Sequence, residues 1–194
     1  MLQSAVGVKA WRERCPSCDE VRPARCPACG RASRPVHERL GIWSHGPRSR
    51  QLRGPVAADA RPEMLVLPVR RYRCCGCGAL MTVVPRATVP RRLYSGSAIV
   101  LALALWGHER HPASEVRRRV SPFKTTFETG WPALRWWTKA VRAGHLFPGV
   151  RAPPGAEPVV WAEWAAAFVA AHAPPDLHGA PLPSRAFAGA AHLG

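Results

Sequence analysis

The spacing of apolar positions changes character partway along the chain. Up to about residue 93 the apolar runs are short and interrupted by Arg, Pro and Gly. Leu65–Arg73 (LVLPVRRYR) and Leu80–Pro85 (LMTVVP) are rich in β-branched and other large apolar residues and read as two strands. Ile42–Leu52 (IWSHGPRSRQL) reads as a hairpin turning at Gly46–Pro47, and Ala57–Pro62 as a turn or loop. Beyond Pro90 the pattern is helical. Ser95 or Ser97 caps a helix beginning near Ala98, with Ile99, Leu103 and Trp106 on one face and Val100, Leu101 and Leu105 broadening it. So much apolar surface predicts the central helix of a small bundle. A second helix is expected over Ala113–Val120, stopped by Ser121–Pro122. A third covers Thr129–Arg142, with Thr129 at or before the N-cap and Pro132 in the first turn. Its inner stripe is Leu134, Trp137 and Val141, its outer one Arg135, Lys139 and Arg142, and Trp136 is expected in the core. A fourth helix, Val160–His172, carries an apolar stripe of Trp161, Trp164, Phe168 and Ala171. Residues 173–194, with Pro174, Pro175, Pro181 and Pro183, are expected to be disordered.

Seven cysteines add chemistry to the front half. They form CPSC at 15–18, CPACG at 26–30 and CCGCG at 74–78. A CxxC turn holds two thiolates at one corner of the backbone, and two such knuckles make a tetrahedral four-sulfur zinc site. Gly30 and Gly78 follow the second cysteine of two of these pairs, where the chain must turn with positive φ; Asp19 stands there in the first pair. Two pairings fit the spacing. Cys26, Cys29, Cys74 and Cys77 can share one zinc as a ribbon with a long insertion between knuckles. Alternatively, Cys15, Cys18, Cys26 and Cys29 form a compact site, and the third knuckle holds a second metal with Cys75 and His37 or His45. The first is preferred, because a strand enters and another leaves the third knuckle. Cys15 and Cys18 could instead be a redox pair, but no βαβ pattern surrounds them. Four thiolates leave no open position for water, so the zinc is read as structural.

Charge then points to a partner. The chain of 194 residues has 28 Lys and Arg against 12 Asp and Glu, a net charge of +16. The basic field stops near Arg151, and the last forty residues are mildly acidic. Such a field attracts polyanions. The candidate phosphate contacts are Arg48, Arg50, Arg53, Arg70, Arg71, Arg73, Arg91, Arg92, Arg117, Arg118, Arg135, Lys139 and Arg142, with Arg48, Arg50 and Arg70–Arg73 expected to line one face. The longest apolar run, Ala98–Trp106, is half of what a bilayer crossing needs, so no membrane role is expected. No targeting segment is visible, which predicts a cytoplasmic, nucleoid-associated protein with reduced cysteines. No Ser/His/Asp constellation, phosphate-cradling loop or carboxylate metal motif appears, and no enzymatic role is expected.

These readings combine into a small α+β chain. Residues 1–93 are a zinc-ribbon-like unit of short antiparallel strands, and 94–148 a helix-turn-helix-like unit. A Pro-rich linker covers 149–158, a C-terminal helix 159–172 and a tail 173–194, giving a three- to four-helix bundle. Its knuckle at Cys26–Gly30, basic stretch Arg48–Arg53, strand-plus-knuckle Arg70–Gly78 and exit Val83–Pro90 resemble the zinc-binding N-terminal region of ISL3-type bacterial transposases and related proteins. The run at 130–137 (Gly-Trp-x-x-Leu-Arg-x-Trp) resembles their helix-turn-helix. The resemblance spans about residues 24–145 and does not include the catalytic domain of those enzymes. It implies a non-enzymatic, zinc-stabilised DNA-binding protein. The alternatives are a zinc-dependent protein-interaction module, as a homodimer or with a partner on the tryptophan-rich helices, or an RNA-binding zinc ribbon.

Overall fold

The computed structural model describes residues 1–123 and 130–193. It shows a small mixed α+β fold with a four-stranded sheet and several helices. In chain order these are β1 (Leu2–Gly7), α1 (Val8–Glu13), β2 (Ile42–Gly54), β3 (Glu63–Cys74), β4 (Leu80–Arg86), α2 (Gly96–Gly107), α3 (Ala113–Val120), α4 (Pro132–Arg142), α5 (Pro158–Ala170) and α6 (Leu182–Gly189), with a single 3₁₀ turn at Pro175–Leu177 before α6.

The sheet order is β1-β4-β3-β2; β1 runs parallel to β4 and the other pairs are antiparallel. The expected hairpin at Gly46–Pro47 is not formed. Ile42–Gly54 is one continuous strand, and Gly46–Pro47 falls at a register shift between Ser44 and Pro47. The long β3 offers partners to all of β2, whereas a fold at Gly46 would leave two arms too short to pair well. A proline cannot donate to the ladder, and a bulge is where a strand tolerates one. The β3–β4 ladder covers only Arg70–Arg73. Just beyond it lies Pro68, whose carbonyl accepts the indole N–H of the fully buried Trp11 at 2.9 Å. Trp11, Ile42, Leu67, Tyr72, Cys74 and Met81 belong to the buried cluster of this half.

A second cluster surrounds α2, whose residues are buried except for the half-buried Trp106. Ser95 caps it, accepting the Ala98 N–H at 3.0 Å. As expected for a helix apolar on all sides, α2 is packed by α3, α4, α5 and α6. The N-cap of α4 is Trp131; the expected cap Thr129 lies outside the described residues. α5 begins two residues before the expected start, with Pro158 in its first turn. The expectation of a disordered tail is corrected by α6, which buries Pro183, Ala186 and Gly189 against α5 and α2. Prolines there open a helix, because a missing N–H costs nothing in the first turn. Alanine and glycine replace large side chains as the packing surface. Among the described residues, no helix is long and apolar enough to cross a membrane.

Candidate metal centre and basic surface

Two knuckles are built alike. In one, Gly30 N–H donates to Cys26 O at 2.8 Å and Cys26 N–H to Arg31 O at 2.9 Å. In the other, Gly78 N–H donates to Cys74 O at 3.0 Å and Cys74 N–H to Ala79 O at 3.0 Å. Gly30 and Gly78 both have φ of 73°, a region costly for a residue with a Cβ. Each knuckle therefore points two thiols the same way, and the pairs face each other. Cys26 and Cys77 sulfurs lie 3.7 Å apart, Cys29 and Cys74 3.6 Å, and all four within 4.8 Å of one another. A tetrahedral zinc with bonds near 2.3 Å needs sulfurs about 3.8 Å apart. The four cysteines are thus arranged to chelate one metal ion, and none is in a disulfide.

Two of the thiols are shifted in opposite directions. The backbone N–H of Cys77 pulls Cys74 down to about 6. The Arg31 N–H favours a thiolate at Cys29, but contacts with the other thiols, Cys77 foremost, push Cys29 up to about 12. Four sulfurs this close cannot all ionise without a cation, and a bound dication supplies that charge.

The chain between the knuckles is anchored to both. Gly41 N–H donates to Ser33 O at 2.8 Å, and its carbonyl accepts the Cys75 N–H at 3.0 Å. A Cβ on Gly41 would lie 2.2 Å from the Ala32 carbonyl oxygen. Gly41→Ala is therefore expected to push the two knuckles out of register and weaken metal retention at least about tenfold, the scale of a disturbed supporting shell. Competition with a chromogenic chelator measures this; unchanged retention would show that the seam does not hold the site.

The compact alternative pairing is corrected. Among the described residues, the metal-competent group is Cys26, Cys29, Cys74 and Cys77, without Cys15 or Cys18. The Cys15 thiol is 3.5 Å from the Pro68 carbonyl, and the Cys18 thiol 3.2 Å from the Ser44 hydroxyl. Their segment folds as a lid on the sheet. Ser17 and Glu20 bond reciprocally, Ser17 N–H to the carboxylate at 2.6 Å and Glu20 N–H to the hydroxyl at 3.3 Å. Arg70 Nε donates to Pro16 O at 2.9 Å, and Tyr72 O–H to Cys18 O at 2.7 Å. Cys75 is exposed, and neither it, His37 nor His45 joins a metal-competent group among the described residues.

The candidate phosphate contacts divide. Register and strand alternation put Arg71 and Arg73 on the same sheet face as Arg48 and Arg50. Arg70 is on the other face, under the Cys15–Cys18 lid, so the expected single face of Arg70–Arg73 is not formed. Arg50 donates to the carbonyls of Val89 and Arg92 at 3.0 and 3.1 Å, and burial, with Arg48 beside it, lowers its pKa. Arg53 stacks over Phe123, 4.7 Å from the ring centre. Arg91 is exposed and Arg92 half-buried beside Arg48. Arg117 is half-buried and its Nε has no partner among the described residues, and Arg118 lies 3.6 Å from Glu115. Arg135, Lys139 and Arg142 are all exposed on the outer side of α4. Trp136, expected in the core, is 66% exposed; it neighbours the outer stripe rather than the stripe of Leu134, Trp137 and Val141.

Two exposed aromatics had no assignment from sequence, Phe123 under Arg53 and Trp43. Trp43 stands next to buried Ile42 and is 51% exposed. The signal was strand alternation, masked while Ile42–Leu52 read as a hairpin. Comparison with known proteins found no matching family model, no matching curated protein and no matching solved structure.

Proposed function

We propose that the chain is a non-enzymatic DNA-binding protein whose front half is stapled by one structural zinc. Cys26, Cys29, Cys74 and Cys77 would fill the tetrahedral coordination and leave no site for a reacting water. On this reading the front half is a zinc ribbon with a long insertion, and α3 and α4 act as a helix-turn-helix with α4 in the major groove. The observation that carries the DNA reading is the exposed stripe of α4. Arg135, Lys139 and Arg142 recur at helical spacing on the solvent side, and none forms an ion pair among the described residues. Packing of Leu134, Trp137 and Val141 holds that stripe outward. Kinship with transposase zinc-binding regions belongs to the same proposal and rests on the cysteine and basic motifs.

The test is a salt series. Fluorescence anisotropy on a labelled duplex is expected to show log affinity falling steeply with log salt, by about 0.9 per phosphate neutralised. Replacing Arg135, Lys139 and Arg142 together by Ala is expected to flatten the slope by roughly 2 to 3. A slope near zero in the unaltered protein would sink the proposal, and preferential competition by structured RNA would redirect it to RNA. A second reading, a protein-assembly surface, draws on Trp136 and Trp164, which are 66% and 47% exposed. Sedimentation that shows a dimer lost on Trp136→Ala would favour it.

A further inference from the structure

We infer that the exposed Trp43 end of the sheet is a stacking platform for an unpaired strand of nucleic acid, with Trp43 as the group on which a base stacks. The inference rests on the nucleic-acid reading above and adds the form of the ligand and its place. Register sets Trp43, Arg73 and Leu80 opposite one another in one row across β2, β3 and β4. All three are exposed, Leu80 by 64%. The next positions on this face are Arg71 beside Thr82, then Arg48 beside Val69. Past them, Arg48, Arg50, Arg91 and Arg92 line a cavity of about 440 Å³. A smaller cavity of about 290 Å³ lies at the Trp43 end, with His45, Arg73 and Cys75. Among the described residues, no carboxylate lines either cavity.

Two ingredients define a surface for single strands: a π-face that any base can stack on, and a cationic groove that follows the phosphates. Both occur here along the exposed β2 side, from Trp43 and Arg73 to Arg48, while Val69 beside Arg48 is itself buried. A lone exposed tryptophan needs no explanation, but this one adjoins a guanidinium on the neighbouring strand and opens a line of arginines. From Trp43 to Arg48 the track runs roughly 15 Å at about 3.3 Å per residue, room for a few nucleotides, and Arg50 beyond it is held by the Val89 and Arg92 carbonyls. Arg71 donates from its guanidinium to the His45 carbonyl at 3.3 Å, which fixes its charge beside the Trp43 end, and its Nε finds no partner among the described residues. A duplex keeps its base faces stacked inside and cannot use Trp43 in this way. The metal knuckles hold the Trp43 end in place, since Arg73 immediately precedes Cys74 and Trp43 pairs with Arg73.

The test is anisotropy titration of the zinc-loaded full chain with a labelled oligodeoxythymidine strand, with a duplex of equal length as the second arm. Trp43→Ala is expected to weaken strand binding at least about fivefold, while Trp43→Phe, which keeps a ring, stays within about twofold of the unaltered protein. Both variants are expected to bind the duplex as before and to retain their metal. Strand binding unchanged in Trp43→Ala, or lost equally on strand and duplex, overturns the platform. Duplex binding with no strand binding also overturns it and leaves the DNA reading standing. Failure of the unaltered protein to bind either form at low salt removes both.

Discussion

Replacing Cys74 by serine is expected to strip the chain of its metal and unfold the sheet half, whereas Cys15→Ser and Cys75→Ser keep stoichiometric zinc. Cys74 is the last residue of β3 and is 1% exposed, so its sulfur serves the metal site and the buried cluster together. A bound ion would tie Cys29 to Cys74 across a spacer of forty-four residues, a long loop whose closure the chain must otherwise sustain by packing. Packing there is thin. Between α1 and β2 the chain contributes Pro16, Val21, Cys26 and Ser33 as buried side chains, with one isolated bridge, Arg25 to Ala32. Structural zinc is worth about 10–16 kcal/mol in small peptides, as much as the whole stability of an ordinary domain. Loss of one thiolate therefore outweighs what the local contacts supply. Metal analysis with far-ultraviolet circular dichroism reads the outcome. Full zinc content and a native spectrum in Cys74→Ser would refute the four-sulfur site, and zinc loss in Cys15→Ser would restore the compact pairing.

The parts of this molecule that were legible in sequence are those with a strong local signal. The CxxCG repeats showed which thiols meet, because the glycine after the second ligand marks the same turn in both knuckles. Helices α2 to α4 were legible because their apolar positions recur at helical spacing and serine or proline marks their starts. α5 was legible as a helix, but its buried face is Ala162, Ala165, Ala166, Val169 and Ala170 rather than the expected stripe of Trp161, Trp164, Phe168 and Ala171, because small side chains let the helices approach closely. Features set by long-range contacts were not. β1 is six residues with no strong alternation, and it exists because the edge of β4 accepts it in parallel, eighty residues away. Gly46–Pro47 carries the signature of a turn; only the length of β3 makes it a bulge. Arg70 and Arg71 are indistinguishable by composition, and register alone sends one under the Pro16 carbonyl and the other to the open face. α6 was hidden by its prolines, which look like breakers until their place in the first helical turn is known.

The same contrast between neighbours governs the helical half, where Trp137→Ala is expected to destabilise the protein by about 3–5 kcal/mol and Trp136→Ala by no more than about 0.5 kcal/mol. The two residues are adjacent, yet the step of about 100° around α4 separates their surroundings: Trp137 is 4% exposed and Trp136 66%. Trp137 meets Trp131 edge-on at 4.9 Å and Tyr94 at 5.2 Å, and Tyr94 meets Trp131 at 5.8 Å. Such edge contacts each add about 0.5–1.5 kcal/mol beyond burial. Tyr94 in turn donates to the Ser121 hydroxyl at 2.9 Å, which joins the lead into α2 to the end of α3. Removing the Trp137 indole leaves a cavity where three segments converge, and helices this short cannot close over it without losing other contacts. For a chain of this size the loss corresponds to a fall in Tm of roughly 6–20 °C. Chemical denaturation of both variants measures the difference, and comparable stability in the two would mean that the aromatic trio does not hold α4. The consequence reaches the DNA reading as well. The outer stripe of Arg135, Lys139 and Arg142 keeps its spacing only while the inner stripe is packed, so Trp137→Ala is expected to weaken duplex binding without removing a single charge. Trp136→Ala, on the exposed side, separates a contact with DNA from a structural loss, because any change in affinity it causes comes with the fold intact.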